Sequence, residues 1–391
     1  MPLLFLSLFS SILGLSILFP ILGPLGRALG LTESEIGLTT TSYALAQFVA
    51  APFWGRRSER VGRKPTLLIG VVGFGVAFVA LGIVAELGAR GVLRGTPLLF
   101  ALIAARLAGG LLSSATIPTA QAWAADLTDR ANRTSGMAVI GASFGLALIF
   151  GPVIGGVVSH FFGLFAPIWV SVLIAIVNAL LVTSRLREPE KRQSTTRTSF
   201  RGIIGRARTL LAIGFLTTFA SVLMEQTIAF AFQDRLHLTT EDTPYYVGAA
   251  LGLYGVIAVF AQGFVVRRFK IAPGTLMMIG LPLTTTGMAL LAFAHDFVSL
   301  ATAMAVQGLG QGLVMPGVTA ALSLGASDDE QGDVAGANSS AQGLGRLVGP
   351  LVGPSLYQIA QPLPFEASAA LLATLLVFVI FTPSVRSIGR A

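Results

Sequence analysis

The chain has 391 residues, of which 54% are hydrophobic and only 11% charged, and its formal net charge is +8. An ordinary soluble domain carries about 25% charged residues, so this chain lacks the charge to clothe a water-facing surface of its length, whereas a bilayer asks for apolar side chains outside. There is no cysteine, which excludes a disulfide framework and a thiolate metal site. The three histidines, His160, His237 and His295, form no ligand pair, so no metal is expected.

A spanning helix needs about 20 mostly apolar residues. Runs of that kind lie near 3–25, 35–55, 65–86, 97–124, 134–159, 163–184, 208–232, 244–265, 273–294, 297–323, 334–359 and 364–384. The sequence therefore predicts an all-α membrane protein with twelve transmembrane helices. Barrel strands are about ten residues of strict alternation, and these runs are longer and do not alternate. The first run, MPLLFLSLFSSILGLSILFPILG, has no basic segment before it and is too long for a signal-peptide core, so it reads as a span.

Lys and Arg fix the direction of the spans. With the N-terminus in the cytoplasm, the inside segments 55–64, 126–133, 185–208, 267–270 and the residues after 385 hold twenty of the 26 basic residues. The outside loops hold only Arg27, Arg90, Arg94 and Arg235, and Arg106 and Arg346 remain within spans. Both termini are then cytoplasmic. Positive charge spread over loops in this way is not a nucleic-acid surface. The longest polar segment, REPEKRQSTTRTSFRGIIGRAR, falls between spans six and seven and reads as a cytoplasmic tether. The expected domains are a six-helix bundle over 1–184, a linker over 185–207 and a second six-helix bundle over 208–391.

The halves repeat. Gly151-Pro152 aligns with Gly349-Pro350, and the same offset pairs Gly110 with Gly308 and the loop 125–136 with 323–334. Parallel six-span halves related by an axis along the membrane normal are a transporter architecture, with the substrate site expected near the midplane between them.

The stretch GRRSERVGRK, 55–64, resembles the loop signature G-x-x-x-D-x-x-G-R-K/R of the major facilitator superfamily, through Gly55, Gly62, Arg63 and Lys64, with Glu59 where Asp is usual. ARLAGGLLSS is similar to the fourth-helix R-x-x-x-G signature through Arg106 and Gly110. ASFGLALIFGPVIGG resembles the fifth-helix antiporter signature through Gly151, Pro152, Gly155 and Gly156, with Ala147 in place of its first glycine. The last points to the twelve-helix drug:proton antiporters, the group of tetracycline and multidrug exporters. The resemblance implies the major facilitator fold, alternating access, a place in a bacterial cytoplasmic membrane, a monomer among lipids, and a proton gradient rather than a cofactor as energy source.

It also implies roles. The loop 55–64 is then a topology anchor and a conformational latch, with Arg60 among its bases and Asp126 as a further partner. Its glycines let helix ends pack closely. Glu59 is expected to accept from a nearby Arg and to face the positive N-terminus of a neighbouring helix. The fifth-helix glycines imply a seal against leak, with simple small-residue packing as the plainer reading.

Glu225 stands apart from the other acidic residues, which lie in loops or near span ends. It sits in span seven on the order of 10 Å from the outer end at 1.5 Å per residue. An ionised carboxylate there costs several kcal/mol unless hydrated or paired, and taking up a proton removes that cost. Thr218, Ser221 and Glu225 share one helical face, with Gln226 beside it. A carboxyl that is neutral when protonated and attracts a cation when not couples proton entry to substrate exit. A structural Glu paired with a buried Arg is the alternative. The first span carries Ser7, Ser10, Ser11 and Ser16 but no acid, which disfavours a tetracycline–metal chelate.

Arg106 needs an acceptor, and family analogy makes it a proton-relay or gating residue. Arg346 contacts substrate or pairs with a loop acid such as Asp333. Gln47, Phe144 and Asn178 in the first half are candidate pocket residues. Gln226, Phe232, Tyr254, Gln307 and Gln311 are the candidates in the second, and Tyr43 and Trp123 complete the first-half set. A mixed lining of that kind suits amphipathic compounds. The function expected is proton-coupled efflux of hydrophobic or cationic small molecules. The alternative is a carrier of the same fold for a metabolite, sugar or lipid-linked substrate. No P-loop, H-E-x-x-H or G-x-S-x-G constellation is present, so no enzyme is expected.

Overall fold

The computed structural model describes residues 1–127, 133–188, 200–269, 271–327 and 330–382, with Val385 and Ile388. Residues 189–199 of the expected linker lie outside the described residues, as does part of the loop 125–136. The described chain is all α. In order it forms α1 Pro2–Ser16, α2 Leu22–Ala28, α3 Glu33–Val61, α4 Arg63–Ala89, α5 Gly95–Ser113, α6 Thr116–Asp126, α7 Arg133–Phe162 and α8 Ala166–Arg185. Then follow α9 Phe200–Arg235, α10 Thr243–Phe260, a π-helical turn Ala261–Val265, α11 Val266–Phe269, α12 Pro273–Phe293, α13 Phe297–Leu324, α14 Gln331–Ile359 and α15 Leu363–Ile380. Among the described residues, nine helical segments are long and apolar enough to cross a bilayer, and α1 is a shorter apolar helix. The helices α3 and α14 have 29 residues each, and at 1.5 Å per residue each spans about 43 Å, more than the hydrocarbon thickness.

Two expected spans are broken, and proline sets both breaks. Proline has no N–H for the carbonyl four residues back, and its ring clashes with that carbonyl. Pro20 acts in this way on Ser16, where α1 stops. Pro118 acts on Ser114, and α5 stops at Ser113. A third difference lies at the linker, where α9 already begins at Phe200.

The chain divides into two compact units, Met1–Ser194 with His237–Gly252, and Thr195–Leu236 with Leu253–Ala391. The sequence reading put all of 208–391 in one bundle. Residues 237–252 instead pack with the first unit, where Gly248 abuts Pro152 and Gly156 abuts Pro244 and Tyr245. In the first unit, Leu4, Leu8 and Ile12 of α1 form one cluster with Trp123, Ile140 and Val182. Lipid tails are as apolar as these side chains, so close backbone approach and interhelical hydrogen bonds add what the hydrophobic effect does not. Asn178 on α8 is such a bond. Its amide donates to the Ser7 carbonyl and to Ser11 Oγ, both at 2.9 Å.

Candidate functional site

The loop 55–64 is a sharp junction of two helices. Gly62 ends α3 and precedes α4 at φ 116°, a conformation that glycine adopts without strain. The turn aims the first N–H groups of α4 at Glu188, whose carboxylate accepts from the backbone N–H of Arg63 and, at 2.7 Å, from that of Lys64. The Arg63 guanidinium donates to Asp126 at 2.8 Å and to Ser58 Oγ at 2.6 Å, and Lys64 Nζ donates to the Thr183 carbonyl at 2.8 Å. The expected Asp126 partner is therefore present. The carboxylate at the helix N-terminus, however, is Glu188 rather than Glu59. Glu59 and Arg60 project outward from the last turn of α3 and are exposed. Gly55 does not mediate a tight approach either, since a Cβ there would meet Pro118 at an ordinary 3.8 Å. Glu188 follows the end of α8 and lies far from the loop in sequence, so spacing gave no signal for it.

The glycines of α7 press on the place where α1 breaks. A Cβ on Gly151 would enter Ser16, and one on Gly155 would enter the main chain of Ile17. Ser16 Oγ donates to the Ala147 carbonyl at 2.8 Å, so the residue that replaces the signature's first glycine still supports the contact. Gly156 takes the other side, against Pro244 and Tyr245. Pro152 is carried inside a continuous α7.

Arg106 on α5 is 4% exposed, and its guanidinium lies 5.9 Å from the Tyr43 ring centre. Its Nη2 has no hydrogen-bond acceptor among the described residues. The Tyr43 hydroxyl bonds Ser113 Oγ at 2.8 Å. Beside them, Ser11, Tyr43, Gln47, Ser113 and Thr116 line a cavity of about 30 Å³, roughly the volume share of one water. Of the first-half pocket candidates, Gln47 thus lines a small cavity, and Asn178 fastens α8 to α1. Trp123 is buried in the hydrophobic cluster with α1, and the partly buried Phe144 packs against that cluster.

The second unit gathers the polar side chains of three helices. Gln307 on α13 donates to Ser221 on α9 at 3.0 Å. Next to it, Gly308 lets the backbone and ring of Tyr254 on α10 come close. Gly345, Gly349 and Gly353 bring α14 against Thr218, Val222 and Leu223 of α9. Arg346, beside Gly345, is accessible and sits close enough for its charge to act on both Glu225 and Tyr254. No direct salt bridge joins Arg346 to an acid among the described residues. Asp333 cannot be its partner within α14, since the two lie about 20 Å apart along one helix axis. Glu225 and Gln226 are half-buried, whereas Thr218 and Ser221 are buried. Phe232 is not a cavity residue: it is 0% exposed and packs edge-on against Phe297. Gln307 and Gln311 each hold a buried Oε1 with no donor, as Thr218 does its hydroxyl. No cluster of His, Asp or Glu suited to a metal ion occurs among the described residues.

The family model described as Major Facilitator Superfamily matches residues 4–350 and 270–390. The chain belongs to that superfamily. It is 28% identical over 363 residues to tetracycline resistance protein, class C, of Escherichia coli, covering 88% of this chain and 86% of that protein. It is 26% identical over 383 residues to multidrug resistance protein 1 of Bacillus subtilis (strain 168), covering 95% and 93%. The crystal structure of the human organic anion transporter MFSD10 (TETRAN) superposes with a TM-score of 0.69 at 22% identity, over 97% of this chain and 98% of that one. The protein is thus a multi-pass integral membrane carrier of the major facilitator type, a secondary transporter of small solutes and not an enzyme.

Proposed function

We propose that this major facilitator carrier moves small amphipathic solutes by alternating access, and that within that class it exchanges them for protons. The wider statement draws on relatives whose names span tetracycline resistance, multidrug resistance and organic anion transport. The narrower one rests on a single observation: Glu225, a carboxyl within a membrane-crossing helix, stands half-buried with no hydrogen bond or salt bridge to a described residue. A permanently paired structural acid would have one. An acid left open in this way binds a proton or a cationic group, but not both. The absence of an acid on α1 separates this chain from a chelate-binding scheme. The loop 55–64 serves as anchor and latch, fastened by Arg63 and Asp126. The carrier acts as a monomer in a bacterial cytoplasmic membrane with both termini inside.

The test is dye transport in proteoliposomes under an imposed pH gradient, with rhodamine 123 as the cationic probe. Wild type should accumulate dye when the gradient is applied, and Glu225→Gln should lose at least about 90% of the gradient-driven component. Equal uptake by the two would remove proton exchange at Glu225. A metabolite, sugar or lipid-linked carrier without proton coupling would then be the reading.

A further inference from the structure

At the turn between α7 and α8 the chain leaves an apolar groove of about 410 Å³, lined by Val158, Phe162, Ala166, Trp169, Val170 and Leu173. That volume lies in the usual range of small-ligand pockets, about 300–1,000 Å³. Both helices are apolar enough to cross a bilayer, and Phe162 and Leu173 are exposed along the groove, so acyl chains rather than water meet it. One wall is fixed. The Trp169 ring lies over Gly82 of α4, where an added Cβ would stand 3.1 Å from it. Its indole N–H donates to Glu86 Oε1 at 3.1 Å. A tryptophan held with its body in the groove and its N–H on a carboxylate sets the mouth of the groove at the membrane interface.

The rim beside that mouth is positive, although most basic residues of the chain lie at the other membrane face. Of the arginines in the outside loops, Arg27 pairs with Glu33 at 2.6 Å, and Arg235 donates to the carbonyls of Leu291 and Ala294. Arg90 and Arg94 are not used in this way, and they stand together just after α4. Arg90 reaches Glu86 Oε2 at only 3.4 Å, and its side chain is 73% exposed. Arg94 folds over Gly91 and is exposed, with no hydrogen bond to a described residue. Glu86 therefore joins the groove, through Trp169, to the rim, through Arg90. Two guanidinium groups against one carboxylate leave the rim with net positive charge, and their paired N–H groups suit phosphate oxygens.

We infer that the groove is a binding site for one anionic phospholipid of the outer leaflet, its acyl chain lying along Trp169 and its phosphate at Arg90 and Arg94. The inference goes beyond the transport reading and draws nothing from Glu225. A zwitterionic lipid offers a phosphate too, but its ammonium adds like charge beside the arginines, so it binds less tightly. The bound lipid ties the rim after α4 to the hairpin of α7 and α8, and so fastens the outer ends of three helices.

The test reads Trp169 fluorescence in proteoliposomes, quenched by phospholipids with dibrominated chains. The chain has three tryptophans. Trp123 is 1% exposed and out of reach of lipid, and Trp54, which adjoins the basic loop 55–64, is removed by Trp54→Phe. In a phosphatidylcholine bilayer, a small fraction of dibrominated phosphatidylglycerol should quench Trp169 as though enriched at least about fivefold, the scale of one basic residue beside an anionic headgroup. Dibrominated phosphatidylcholine should quench only in proportion to its share. Arg90→Gln/Arg94→Gln, at two exposed positions, should bring the phosphatidylglycerol curve down onto the phosphatidylcholine curve. Ala166→Phe fills the groove and should lower quenching by phosphatidylglycerol several-fold. Equal quenching by the two lipids in the Trp54→Phe protein marks ordinary annular lipid and overturns the inference. An undiminished preference in the arginine double variant, or undiminished quenching in Ala166→Phe, overturns it as well.

Discussion

The helices α7 and α14 carry the same run of small residues, Gly151-Pro152 with Gly155 in one and Gly349-Pro350 with Gly353 in the other, yet they use it on different partners. In the first unit the run meets a helix end. The chain turns out of α1 at Ser16, and Gly155 lies directly on the backbone of Ile17. In the second unit it meets α9, a continuous helix of 36 residues, and a Cβ on Gly353 would stand 3.2 Å from the Leu223 carbonyl oxygen and 3.3 Å from the Thr227 methyl group. A repeated sequence thus gives a repeated helix surface, while the tightness of each contact is set by what lies opposite. The charges differ as well. The first unit has a buried arginine over a tyrosine ring, and the second has an arginine and a glutamate in sight of each other.

The largest expected effect separates the two glycines. Gly155→Ala forces a Cβ into main chain that cannot rotate away, and should cost about 3 kcal/mol, the upper part of the overpacking range. Gly353→Ala brings its Cβ no nearer than 3.2 Å to the Leu223 main chain, so a shift of a few tenths of an ångström relieves the contact, and should cost less than about 1 kcal/mol. Thermal unfolding of the purified variants in detergent reads both. Equal losses would mean that the broken α1 is not what makes the first contact tight.

A middle-sized effect is expected at the cytoplasmic loop of the first unit, where Arg63 is held by two side chains. Arg63→Ala removes the bonds to Asp126 and Ser58 and leaves Asp126, whose side chain is 14% exposed, without its cation. The expected loss is about 2 kcal/mol, within the range for hydrogen bonds to charged groups. Arg63→Ala/Asp126→Ala should recover part of it, because no buried charge is then left alone. A double variant no better than the single one would show that the pair does not act as a unit.

The smallest effect compares two capping boxes. In the first unit Thr32 and Glu35 cap α3, and in the second Asp296 and Ser299 cap α13. The Asp296 carboxyl accepts from the Ser299 backbone N–H and hydroxyl, and these bonds hold its pKa below the usual aspartate value. A depressed folded pKa contributes stability that is fully present above the unfolded value, about 3.9, and is lost as pH falls through the folded one. Asp296→Asn keeps an acceptor but cannot titrate. Its unfolding temperature should therefore fall less steeply below pH 4 than that of wild type, and parallel curves would assign the acid sensitivity elsewhere.

Much of the architecture was legible because apolar runs of spanning length have few other uses. The breaks at Ser16 and Ser113 were legible in principle too, since Pro20 and Pro118 deprive the carbonyls of Ser16 and Ser114, four residues back, of their helical donors. They were missed because hydropathy continues across them. The candidate site was legible in part. Glu225 stood out as a charge in hydrocarbon, and Asp126 was expected as a further partner of the loop, though the sequence did not say that Arg63 would be the base it meets. Glu188 and Ser113 were invisible, because each meets its partner from a distant part of the chain. Phe232 was misread for a related reason: an aromatic in a span looks the same whether it lines a cavity or fills a core.

The sequence by itself determined that this chain is helical, crosses a membrane repeatedly and carries one acid deep in a span, because those properties follow from composition and spacing along a single segment. Only the tertiary structure decided that Glu188 caps α4, that Gly155 sits on the break in α1, and that Arg346 comes within electrostatic reach of Glu225 and Tyr254. Those depend on which helix faces which and at what height, and in lipid that choice is made by close packing and a few hydrogen bonds rather than by any pattern along the chain.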